Sequence, residues 1–136
     1  EINKINIEEH NKNAIDVDTA KKKIHEFMTK NKLFEVLPCG QNLIFDIEFL
    51  KEFYGEKEYP FGYHYIDTKN IWCYLKFKEI IPNGLGNSLK DMAEFFNIDY
   101  SKAHNALDDC EITLKVLEKM INIEEELLKK EQEQKW

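Results

Sequence analysis

The sequence predicts an α/β domain, and three observations carry that expectation. Two short apolar runs, Leu33 to Leu37 and Tyr63 to Ile66, each stop at turn or capping residues and give way to helically spaced apolar positions. A hydrophobic content of 43% over 136 residues is enough for one core. No shift in composition marks a second domain, so residues 1–136 are expected to form a single one, with 124–136 as a charged helical tail.

The segment before residue 16 shows no strand and no cap that would start a fold, and the chain opens on Glu1, which together read as an N-terminal truncation. From Asp18 the pattern is helical: Asp18 or Thr19 is the expected cap, and Ala20, Ile24, Phe27 and Met28 follow at steps of three and four, to an end near Asn31. Leu33, Phe34, Val36 and Leu37 are expected to be a buried strand closed by Pro38, Cys39 and Gly40. Leu43, Ile44, Ile47, Leu50 and Phe53 then mark a helix from about Asn42 to Tyr54.

Gly55 to Gly62 is a charged loop, and Tyr63, Tyr65 and Ile66 form a second strand ending at Asp67 and Thr68. A helix over Thr68 to Phe77 follows. Pro82, Gly84 and Gly86 make Ile80 to Asn87 a loop, after which Ser88 caps a helix through Leu89, Met92, Phe95 and Phe96. Leu107, Cys110, Leu114, Leu117 and Ile121 recur at steps of three and four and predict the buried stripe of a long terminal helix. Two strands make a thin sheet for this many helices, so further strands are expected upstream.

Charge narrows the function classes. Nineteen lysines, no arginine and 26 acids give a net charge of −7, the wrong sign for a surface that coats phosphates. Contact with nucleic acid must then be local or act through bound cations. Cys39, Cys73 and Cys110 are odd in number and lack C-x-x-C spacing, which points to a reducing, cytoplasmic setting. No apolar run approaches the roughly 18 residues a membrane span requires.

Three segments stand out together: Gln41-Asn42-Leu43-Ile44-Phe45-Asp46, Tyr65-Ile66-Asp67-Thr68, and His104-Asn105-Ala106-Leu107-Asp108-Asp109. In order and spacing they resemble the DEDDh exonucleases, a family that includes the proofreading subunit of bacterial replicative polymerases and several RNA-trimming nucleases. The resemblance runs over residues 18 to 121 and implies a ribonuclease H-like fold lacking its first strands. Asn42 and Asp46 match the family's second motif, with Gln41 where many members carry histidine. His104 and Asp109 match the third. The strand ending at Asp67 and Thr68 looks like framework.

By that resemblance Asp46 and Asp109 are metal ligands, His104 is the general base, and Asn42 and Phe45 meet the substrate. The chemistry is compatible. Hydrolysing a phosphodiester needs a shielded phosphate, a nucleophile made from water and a stabilised leaving oxygen, and two divalent ions about 3.5 to 4 Å apart can supply all three. Carboxylate oxygens suit magnesium or manganese, and a histidine of ordinary pKa about 6.5 can take a proton near neutrality.

Each residue also has a plainer reading. Asp46 on a helix is commonly a solvated acid, and Asp108 and Asp109 both favour a first turn through the helix dipole. Joint occurrence in order is what shifts the balance. Asp16-Val17-Asp18-Thr19 imitates the family's opening Asp-x-Glu, yet Asp16 and Asp46 are only 30 residues apart, where three strands and a helix would need roughly 50. Tyr63 and Asp67 have the tyrosine spacing of a sister group but come too soon after Asp46, so Tyr63 is assigned to packing. His10, His25 and His64 are expected at the surface or in packing, and Phe95, Phe96, Trp72 and Tyr74 in the core.

The resulting expectation is a 3′-to-5′ exonuclease acting on single-stranded DNA or RNA with two magnesium or manganese ions, with a polymerase as a further partner class. The absent Asp-x-Glu implies that this stretch by itself is weak or inactive. The rivals are a non-catalytic module that keeps the scaffold to bind nucleic acid or a polymerase, and a helical structural domain with incidental motifs.

Overall fold

The computed structural model describes residues 6–55, 58–101, 103 and 105–133. Six helices and two very short strands follow in the order α1 (Ile7–Asn13), α2 (Val17–Lys30), β1 (Cys39–Gly40), α3 (Ile44–Tyr54), β2 (Ile66–Asp67), α4 (Thr68–Phe77), α5 (Leu89–Phe95) and α6 (Ala106–Glu133). β1 and β2 pair in a two-stranded sheet. The chain divides into two compact units, Glu1–Pro38 with Leu43–Ile66, and Cys39–Asn42 with Asp67–Trp136.

In the first unit, local caps set the helix starts. The Asn6 side chain accepts from the backbone N–H groups of Glu8 and Glu9, so α1 forms where no cap was expected. The α2 cap is Asp16, two residues before the expected Asp18: it accepts from the Thr19 N–H (2.9 Å) and hydroxyl (2.6 Å). Those bonds hold the Asp16 carboxyl below the usual carboxylate range, the hydroxyl first. Lys21 links α2 to the end of α3, donating to the Tyr54 carbonyl (3.2 Å) and Glu58 (3.3 Å) and lying about 6 Å from the Phe53 and Tyr54 ring centres. Along α3, Leu43, Ile47 and Tyr54 are buried, while Ile44 is exposed. Gly55, at φ +80°, ends the helix.

The expected strand at Leu33 to Leu37 does not form. Leu33, Phe34 and Leu37 are exposed, and pairing begins only at the Pro38 carbonyl, which accepts from the Ile66 N–H (2.9 Å). A strand exists by virtue of its partner, and the apolar run meets none here. Tyr63, assigned to packing, is 86% exposed and lies against the His64 ring.

The second unit holds the main core: Trp72, Leu75, Ile81, Met92, Ala93, Ile112, Val116 and Met120, from α4, α5, α6 and the loop between α4 and α5. Trp72 is fully buried, meets Phe95 and Phe96 edge-on, and donates its indole N–H to the Gly86 carbonyl (2.9 Å). Tyr74, placed in the core by the sequence, is half exposed. Lys76 is buried, and its ammonium is satisfied by the Leu85 carbonyl and Asn87 Oδ1. Ser88 and Asp91 close a capping box at α5. A Cβ on Gly86 would overlap the Asp91 carboxylate, so glycine at 86 lets the loop close over that box.

The largest correction concerns α6. Leu107, Cys110, Leu114 and Ile121 are exposed, and of the predicted stripe only Leu117 is buried. The buried face is Ile112, Thr113, Val116, Leu117 and Met120. At 100° per residue the two apolar stripes lie roughly 120° apart and share Leu117 as an edge.

Met120→Ala should therefore cost about 2–5 kcal/mol in denaturant unfolding, and Leu114→Ala about 0.5 kcal/mol or less. Equal losses would show that the second stripe is also covered. The Ser88 hydroxyl and then its N–H hold the Asp91 carboxyl below its usual range. A depressed carboxyl pKa stabilises the fold above the unfolded value and loses that contribution as pH falls through the folded one. Acid melting curves of Asp91→Asn should accordingly converge on wild type below pH about 4.

Candidate functional site

Gln41 and Asn42 form a bend directly after β1, and the structure anchors it from the start of α4. Asp67 is buried; its Oδ1 accepts from the Lys69 N–H (2.9 Å), capping α4, and from the Asn42 N–H (3.0 Å). Its charge also helps to push up the Cys39 thiol pKa, behind loss of solvent around the sulfur. The Thr68 hydroxyl, fully buried, donates to Gln41 Oε1 (2.5 Å), with the Gly40 carbonyl 3.2 Å away. Gln41 Nε2 in turn donates to the Asn87 carbonyl (3.1 Å). Gln41 thus ties the bend to the α4–α5 loop.

Asn42 has φ +58°, in the left-handed region that asparagine tolerates better than other side chains bearing a Cβ. Lys69 Nζ donates to its Oδ1 (3.3 Å), which places a cation beside the bend in an acidic chain.

Two residues on, the chain enters α3, where Phe45 and Asp46 occupy the first turn and are both exposed. An acid in the first turn is favoured by the helix dipole, and exposure leaves its oxygens accessible. Asp109 lies in the second unit, half-buried in the first turn of α6, where its N–H donates to the Asn105 carbonyl and its own carbonyl accepts from the Thr113 hydroxyl (2.7 Å). The Tyr100 phenol is held above its usual pKa by burial and then by the Asp109 charge, so a neutral hydroxyl faces that carboxylate's field. His104 lies outside the described residues.

The structure therefore brings together Gln41, Asn42, Asp67, Thr68, Lys69 and Asn87. Asp46 and Asp109 each stand in a helical first turn of their own unit. Among the described residues no group of three or more His, Cys, Asp and Glu side chains is gathered closely enough to hold a metal ion.

A family model described as Exonuclease matches residues 1–117. The chain belongs to the exonuclease family. No match was found among curated proteins or among solved structures. An exonuclease domain acts on nucleic acid, and such domains generally use divalent metal ions. The matched stretch includes Asn42, Phe45, Asp46, Asp67, His104 and Asp109. Among the described residues of this exonuclease chain, no helix is long and apolar enough to cross a membrane.

Sequence reasoning assigned Asp67 and Thr68 to framework and did not single out Lys69. The signal was present: Asp-Thr between an apolar strand and a helix is a capping pattern, and a cap held against a second backbone segment positions both. Asp67→Ala should lower stability by about 2 kcal/mol and disorder the Gln41–Asn42 bend, because a buried charged acceptor serving two N–H groups is lost. Asp67→Asn should keep most of that stability, since the amide oxygen can accept both bonds. Thermal unfolding and amide exchange at Asn42 would check this.

Proposed function

We propose that this exonuclease-family chain is part of a DEDDh-type 3′-to-5′ exonuclease that removes nucleotides from the 3′ end of single-stranded DNA or RNA. The observation that carries the reading is the family match over residues 1–117, a stretch that contains Asn42, Asp46, His104 and Asp109, whose order and spacing resemble the second and third motifs of such enzymes. Asp46 is exposed in the first turn of its helix, which leaves its oxygens accessible for a ligand role.

On this reading the carboxylates of Asp46 and Asp109 hold magnesium or manganese, two ions in the complete site; hard oxygen donors fit such ions. Ions held there would supply charge that shields the phosphate and eases loss of a proton from the attacking water. His104 takes the proton from that water as a neutral imidazole. Asn42 orients the terminal nucleotide, with Lys69 supplying positive charge beside its amide. Phe45, 60% exposed one position before Asp46, offers a face to the terminal base.

Asp46→Ala or Asp109→Ala in the full-length protein should abolish magnesium-dependent shortening of a 5′-labelled single strand while leaving thermal unfolding nearly unchanged. Retained shortening would remove the ligand roles. His104→Ala should slow release by about 10²- to 10⁴-fold without loss of metal binding. Products shortened from the 5′ end would overturn the polarity.

A further inference from the structure

The first unit contains a cavity of about 200 Å³ that is lined by none of Asn42, Phe45, Asp46, His104 and Asp109. Ile44, Ile47 and Lys51 contribute one face of α3, and Tyr59, Phe61 and Tyr65 come from the segment before β2. Tyr59 and Phe61 meet edge-on with centroids 5.4 Å apart, and Lys51 Nζ lies over the Tyr59 ring, 5.9 Å from its centre. The Tyr59 hydroxyl is buried with no hydrogen-bond partner among the described residues. A buried phenol left unpaired is costly, and a ligand able to donate or accept there would recover that cost.

We propose that this cavity is a subsite for a nucleobase of the single-stranded substrate, with Lys51 at the adjoining phosphate. The inference rests on the exonuclease reading and adds a second contact to it. An aromatic wall, an aliphatic floor and one cation are the elements by which single strands are held without sequence readout, whereas a paired base within a duplex cannot enter a cavity. The volume admits one ring system and not an extended peptide. The lining contains no carboxylate, imidazole or thiol, which argues against a metal. Burial holds the Tyr59 phenol above its ordinary pKa, so it remains a neutral donor and acceptor.

The nucleotide held here is not the one being cut. On α3, Asp46 lies roughly 130° around the helix from the face shared by Ile44, Ile47 and Lys51. A strand with its scissile phosphate at Asp46 therefore reaches the cavity with a nucleotide further from its 3′ end. In a chain of net charge −7, one lysine among aromatic rings also supplies the local contact that the overall charge denies.

The test is fluorescence anisotropy on the full chain in EDTA, where nothing is cut, using labelled oligothymidylate, oligouridylate and a duplex of equal length. Wild type should bind both single strands and favour them over the duplex. Phe61→Ala should weaken strand binding about 5- to 100-fold. Lys51→Met, at an exposed position, should leave thermal unfolding unchanged and reduce the slope of log affinity against log salt by about one phosphate contact's share. Strands with single abasic positions should reveal one internal position that matters to wild type and not to Phe61→Ala. If wild type binds strands and neither the variants nor the abasic positions change binding, the subsite is wrong and the exonuclease reading stands. If wild type binds no strand in EDTA, the subsite is wrong, and the exonuclease reading is decided separately by the magnesium-dependent shortening assay.

Discussion

The carboxylate of Asp67 is the point from which the candidate site is built. One oxygen accepts from Lys69 at the start of α4 and from Asn42 in the bend after β1, so a helix start and a strand end are fixed by the same atom. A buried carboxylate is costly unless its lone pairs are used, and these bonds are charge-assisted. Thr68 adds a second tie through Gln41, and Gln41 a third to the α4–α5 loop. The bend can hold Asn42 at a positive φ because three neighbours over-determine its position.

That arrangement bears on how an acidic chain can handle a polyanion. Without a basic surface, positive charge has to be placed singly, and the structure places Lys69 at the Asn42 amide and Lys51 over the Tyr59 ring. Other lysines do structural work: Lys21 joins α2 to α3, and Lys76 is buried under the α4–α5 loop. On the proposed reading, the acids of the first turns contribute by holding cations, so the sign of the net charge and nucleic-acid chemistry are compatible.

α6 shows how packing and patterning can part. The helix has apolar residues on two stripes, and the one with the more regular spacing, through Leu107, Leu114 and Ile121, is the exposed one. Val116 and Met120 are buried because Trp72, Leu75 and Met92 occupy the volume facing them. A similar dependence explains Leu33 to Leu37, whose β-forming residues meet no strand, and Tyr74, whose helix turns it away from the core.

By itself the sequence determined the family and most helix limits: Tyr54 as the end of α3, Thr68–Phe77 for α4 and Ser88 as the α5 cap. These are legible because caps and turns are bonds between residues a few positions apart, written in local side-chain chemistry. Only the tertiary structure decided which stripe of α6 is buried, that Asp67 and Thr68 hold the Gln41–Asn42 bend, and that Lys51, Tyr59 and Phe61 enclose a cavity. Those outcomes depend on residues far apart in the chain meeting in space, as Thr68 and Gly40 do across 28 positions, and no local pattern encodes which of several apolar or polar surfaces finds a partner.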